Sequence, residues 1–160
     1  MSDWLSFLPF VAIVIAAAST GAMFSPGPWY AALNKPSWTP PDWVFPVVWT
    51  LLYAMIAVAG WQVWSRDGFG LALAIWGLNL VLNAAWSWIM FGRQQIKLAL
   101  MDALGMLLTT VAFIVVAWPI NVTAAALFVP YLAWVATAVV LNYQVLRLNP
   151  EPVGADAQSP

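Results

Sequence analysis

Three pairs of residues have the types and spacing to recognise a flat ligand. Trp49 and Tyr53, Asn83 and Trp86, and Trp134 and Ala138 stand three or four positions apart, so each pair shares a face if its segment is helical. Indole and phenol rings stack on planar aromatic groups. The small Ala138 leaves room beside the Trp134 ring. The chain contains no Cys and no His, which removes the thiol nucleophile, the imidazole base, any disulfide framework and the usual zinc and haem axial ligands. Neither an acid/base pair nor a metal-ligand set is apparent, so no catalytic or metal-binding residue is assigned. Aromatic stripes at helical spacing also make ordinary cores, and the residues alone leave both readings open.

The elements that must position these residues are membrane helices. Of 160 residues, 64% are hydrophobic and 7% charged, against about a quarter charged in soluble domains. Charge is absent from Trp4 to Asn34, Trp43 to Ser65, Gly68 to Gly92 and Ala103 to Leu146. A span needs roughly 20 apolar residues, so the first three stretches hold one helix each and the last, with the residues just before it, holds two. The expectation is an all-α integral membrane bundle of five helices, one domain over 1–150. The spans are Leu5 to Phe24, Trp43 to Trp64, Leu71 to Phe91, Ile96 to Trp118 and Thr123 to Leu146, followed by a disordered tail over 151–160. Asp3 precedes the first apolar run where a secretory signal would carry basic residues, so that run is expected to be a retained helix.

The net charge of −1 gives no basic surface for nucleic acid, and no run of Lys and Arg marks a site for phosphates or anionic lipid headgroups. With five spans, Lys35, Arg93, Lys97 and Arg147 share one side of the membrane and Arg66 stands on the other. The positive-inside rule then places the first loop and the C-terminus in the cytoplasm and the N-terminus outside. Asp102 falls about 7.5 Å past Lys97 along a helix rising 1.5 Å per residue. A carboxylate inside a span costs about 2.5 to 3.5 kcal/mol at the helix centre, so an ion pair with Arg147 or Lys97 is expected.

On the third span, about 100° per residue groups Asn79, Asn83, Trp86, Ser87 and Met90 in one sector and Gly70, Ala74, Gly77, Val81, Ala84 and Trp88 in the opposite one. The amide face belongs inside the bundle. The small-residue face suits close approach of a second copy, making a homodimer. The alternative is that the asparagines only glue neighbouring helices and the small-residue face packs within one copy. On the last span, Leu141, Tyr143 and Arg147 fit a loose pattern proposed for sterol contact, with Tyr143 and Arg147 turned away from the Trp134 face. Arg147 also suits an interfacial anchor.

The first connection is long and pinned by proline. "WYAALNKPSWTPPDWVFPVVWTLLY", Trp29 to Tyr53, holds four Trp and four Pro around one Lys and one Asp. Proline fixes φ and removes donors, so an ordered cap is expected, with a helical turn begun by Pro28 and "KPSWTPPDW" extended across the bundle mouth. Together with "LNAAWSWIMFG" and "VPYLAWVATAVVLNYQVLRLN", this stretch resembles the translocator protein family, the tryptophan-rich sensory proteins of bacteria and the peripheral benzodiazepine receptors of animals. The resemblance implies a five-helix bundle, commonly dimeric, that binds tetrapyrroles such as protoporphyrin IX, and in some members sterols and isoquinoline-type ligands, beneath the first loop as a lid. It implies ligand contacts at Tyr30, Trp49, Asn83, Trp134 and Ala138, with Trp38 nearby; Tyr53 and Trp86 join them through the stripes above. Light-dependent porphyrin degradation and porphyrin or sterol transport are the alternatives it raises. Haem would lack a His or Cys ligand here, so metal-free porphyrin is expected to bind at least as well.

Overall fold

The chain's structure, a computed structural model, describes residues 3–150; the tail expected to be disordered lies outside them. A 3-10 turn, Asp3–Phe7, leads into α1 (Leu8–Met23), and the short α2 (Pro28–Ala32) follows within the first connection. The remaining helices are α3 (Val44–Asp67), α4 (Leu71–Ser87), α5 (Ile96–Ala117) and α6 (Val122–Leu148). Five helical stretches among the described residues are long and apolar enough to cross a membrane. In lipid a helix satisfies its own backbone, so the neutral runs of the sequence become helices and the polar breaks become connections.

Those connections are short and locally specified. Gly68 closes α3 at φ 62°, its N–H donating to the Trp64 carbonyl at 2.8 Å, a left-handed stop that glycine adopts without Cβ strain. The end of α4 widens into a π turn, Trp88–Gly92, with the Arg93 N–H on the Trp88 carbonyl at 2.8 Å. Gln94 then turns the chain at φ 55°. Asn121 caps α6, its Oδ1 accepting from the Ala124 N–H at 3.1 Å.

Helix α6 packs on α5 and α3, α4 packs on α5 and α1, and α1 packs on α3. The first helix is therefore part of the core, burying Phe10, Val14 and Ala17. Where α3 meets α4, the Trp76 indole lies against Gly60 and donates to the Ile56 carbonyl at 2.8 Å. A Cβ on Gly60 would stand 2.6 Å from Trp76 Nε1. One large cluster of buried side chains runs through the bundle, and a smaller one gathers Leu33, Ile89, Met90, Ala99, Leu141 and Val145 under the first loop.

The first loop is ordered, but its second half is not extended. Two successive turns fold it: the Thr39 N–H and Oγ1 both donate to the Pro36 carbonyl, at 3.1 and 2.7 Å, and the Val44 N–H donates to the Pro41 carbonyl at 3.0 Å. Each proline supplies the acceptor at the first position of its turn, so the rings that prevent helix also anchor compact turns.

Candidate functional site

Helices α3 and α6 face each other across a set of aromatic rings. Trp49 stacks on Tyr53, one turn along α3, with centroids 5.3 Å apart and planes 29° apart. From α6, Trp134 meets Trp49 edge-on at 6.5 Å, and Tyr131 does so at 6.2 Å. Phe45, at the start of α3, closes the upper side with its ring 5.6 Å from Trp134. Ala138 follows one turn after Trp134 and is half-buried. As they stand, these rings pack against one another.

Beneath the rings runs a directional chain of hydrogen bonds. The Tyr53 hydroxyl donates to Asn83 Oδ1 at 2.8 Å, and Asn83 Nδ2 donates to the Tyr131 hydroxyl at 3.2 Å. That hydroxyl in turn donates to Asn79 Oδ1 at 2.9 Å, and Asn79 Nδ2 reaches Thr109 Oγ1 at 2.8 Å and Thr110 Oγ1 at 3.1 Å. The threonines end the chain on the Met106 carbonyl, at 3.0 and 2.7 Å. Four helices are thereby joined: α3, α4, α6 and α5. Asn79, Thr110 and Tyr131 are fully buried and Asn83 nearly so, where an unpaired polar group would be costly. Asn79 is thus interhelical glue. Tyr53 stands at the head of the chain, half-buried, with no donor among the described residues occupying its oxygen.

The lid sits on a neighbouring cluster. Leu33, just after α2, enters the smaller core, 6% exposed, and α2 sets the Tyr30 ring edge-on to Phe91 at 5.4 Å. Lys35 turns back over the Tyr30 ring, 4.7 Å from its centroid, and its Nζ donates to the Tyr30 and Leu33 carbonyls at 2.8 and 3.1 Å. Burial, and secondarily the Asp42 carboxylate, hold the Tyr30 hydroxyl above its ordinary pKa. Just beyond, the Asn34 N–H donates to Asn149 Oδ1 at 3.0 Å while Asn149 Nδ2 returns to the Asn34 carbonyl at 2.9 Å. This reciprocal clasp fastens the lid to the end of α6.

The structure accordingly sorts the residues singled out from the sequence. Trp49, Tyr53, Asn83 and Trp134 converge on one site. Tyr30 and Trp86 lie in the adjoining cluster, where Trp86 Nε1 donates to Asn142 Oδ1 at 3.2 Å and its ring meets Phe91 at 5.5 Å. Trp38 lies on the outer surface of the lid, 46% exposed. Of the sterol pattern, Leu141 is buried whereas Tyr143 and Arg147 are exposed together, the guanidinium 5.9 Å from the ring centroid. The α4 face opposite the asparagines points out of the bundle: Ala74 and Val81 are exposed, Gly70 and Ala84 half-buried, and a Cβ on Gly77 would meet nothing within 4 Å.

The ion pair expected of Asp102 is not formed. The carboxylate is half-buried and its Oδ2 has no hydrogen-bond partner among the described residues. The cations named for it are placed otherwise, Arg147 over Tyr143 and Lys97 in the groove beneath the lid. Residues the sequence reading missed include Tyr131, Phe45 and Asn142. Tyr131 lies one turn before Val135 on the buried face of α6, and its distance of three positions from Trp134 was the available signal.

Comparison with known proteins gives a consistent picture. Residues 9–148 match the TspO/MBR family. The chain is 41% identical to the tryptophan-rich sensory protein of Cereibacter sphaeroides, over 92% of this chain and 93% of that one. It is 38% identical to protein CrtK of Rhodobacter capsulatus, over 94% and 96%. It is also similar to the translocator protein of Homo sapiens, at 37% identity over 91% of each chain.

Proposed function

We propose, from the premise that the chain belongs to the TspO/MBR family of multi-pass membrane proteins, that it is a receptor for tetrapyrroles. The ligand, of the protoporphyrin IX class, occupies the space between α3 and α6 under the first loop. The observation that supports this reading is the aromatic box itself: Trp49, Tyr53, Tyr131 and Trp134, from two facing helices, above the amide of Asn83. Parting Trp49 from Trp134 opens a slot walled by two indoles, and the free acceptor of Tyr53 meets a polar edge of the macrocycle. No cation stands in the box, so the carboxylates of such a ligand face the mouth and the headgroups. Sterols and isoquinoline-type ligands are flat and apolar enough for the same slot. The protein reports or buffers the ligand, with its first loop and C-terminus in the cytoplasm, and works as a homodimer through the open face of α4.

Titration of the detergent-purified protein with protoporphyrin IX in darkness tests the site through quenching of tryptophan fluorescence. Saturable quenching is expected, weakened at least tenfold in a Trp49→Phe, Trp134→Phe double variant. Quenching that never saturates, or that is the same in the variant, would return the aromatic rings to the role of packing. Repeating the titration under light tests the photochemical alternative, whose signature is loss of the porphyrin spectrum dependent on the same tryptophans.

A further inference from the structure

We propose that the groove between the lid, the α4 to α5 connection and the end of α6 binds an anionic phospholipid. Its phosphodiester sits between Arg93 and Lys97, and one acyl chain lies along Leu98 and Met101. The groove encloses about 720 Å³, and these four residues line it together with Trp29 and Leu146. No run of basic residues announces it in the sequence, because Arg93 and Lys97 are separated by the left-handed turn at Gln94. The fold returns both to one cavity.

The charge is available and pre-placed. Arg93 rests on the exposed Trp88 ring, its guanidinium carbon 5.4 Å from the centroid, which orients it without neutralising it. Lys97 makes no hydrogen bond or ion pair among the described residues. The first turn of α5 begins at the same place, and no side chain caps it, so its free N–H groups add to the attraction for an anion. The depth is right for a headgroup, since the residues between the end of α4 and the start of α5 leave the apolar spans there. Met101 lies about 7.5 Å deeper at 1.5 Å per residue. Both Leu98 and Met101 are open on the outer surface of α5, 43% and 60% exposed.

A free phosphate would leave this apolar half unused, and a zwitterionic headgroup would bring its own cation against two others. An anionic phospholipid uses all of it, and the basic side of the bundle faces the leaflet in which such lipids concentrate. Leu33 and Asn149, which anchor the lid, form part of the same wall, so an occupant braces the lid closed. This inference is independent of the tetrapyrrole reading.

The experiment is competition between phosphatidylglycerol and phosphatidylcholine of equal chain length for the purified full chain, read by native mass spectrometry. Phosphatidylglycerol should be retained at least fivefold over phosphatidylcholine. The preference should vanish in Arg93→Gln, Lys97→Gln and survive both in Arg93→Lys, Lys97→Arg and in Arg66→Gln at the opposite end. Equal retention of the two lipids by the unmodified chain, or loss of preference in Arg66→Gln, overturns the site. Displacement of phosphatidylglycerol by millimolar inorganic phosphate also overturns it, in favour of a free-anion site. Should the neutralised variant fail to fold, phosphatidylglycerol with brominated chains supplies a second reading. It should quench the tryptophan fluorescence of the unmodified chain more than that of Trp29→Phe, and equal quenching in the two overturns the site.

Discussion

At the scale of single residues, the helices are joined by a few polar side chains whose interhelical partners are remote in sequence. Tyr131 is the middle link of the chain from Tyr53 to Thr110, accepting from Asn83 and donating to Asn79. Tyr131→Phe keeps the ring packing and orphans Asn79 Oδ1, a loss of about 1 to 3 kcal/mol for a buried unsatisfied group. A lowered unfolding temperature in detergent is expected, and an unchanged one would show the chain to be dispensable. Gly60→Ala drives a methyl into the Trp76 indole, and overpacking of this kind costs about 1 to 3 kcal/mol. Combining it with Trp76→Leu should recover part of that loss, because the clash and its partner are removed together. The absence of His and Cys bears on ligand choice: haem gains no strong axial bond, so its affinity should not exceed that of protoporphyrin IX by more than tenfold in parallel titrations.

At the scale of elements, the first loop is held to the rest of the bundle chiefly through its first half. Asn34 and Asn149 clasp it to α6 and Leu33 plugs the smaller core, while Trp38 and Trp43 stay exposed on the two turns that follow. Asn149→Ala removes both hydrogen bonds of the clasp. It should raise hydrogen exchange across residues 28–43 while leaving α3 to α6 protected, since local openings can occur without global unfolding. Exchange that rises equally in the helices would mean that the clasp supports the whole bundle instead of the lid alone.

For the whole molecule, the division of α4 into two faces decides what is inside the bundle and what stays outside it. Asn79 and Asn83 tie it to three other helices, whereas Gly77 looks outward into open space. Gly77→Phe starts on that open space, where a Cβ meets nothing within 4 Å, and under the homodimer proposal it obstructs close approach of a second copy. A shift from dimer to monomer in light scattering of the detergent complex is expected, with tryptophan fluorescence unchanged; a persistent dimer would place the contact on another face.

The sequence by itself determined the five membrane helices and the ordered first loop. These are local matters: an uncharged run of about 20 residues in lipid has only the helix in which to satisfy its backbone, and proline restricts the chain wherever it stands. It also determined that α4 has an amide face and a small-residue face, because that follows from 3.6 residues per turn. Tertiary structure alone decided which side chains meet. Tyr131 is one of four tyrosines, and nothing local marks it as the link between two asparagines 48 and 52 positions away. The clasp of Asn34 on Asn149 spans 115 positions. Asp102 was expected to find a cation because charges in lipid are costly, yet of the two named for it Arg147 lies over the Tyr143 ring and Lys97 in the groove. Partners of this kind depend on how helices rotate and cross, which is set by packing over the entire bundle and leaves no mark within any one segment.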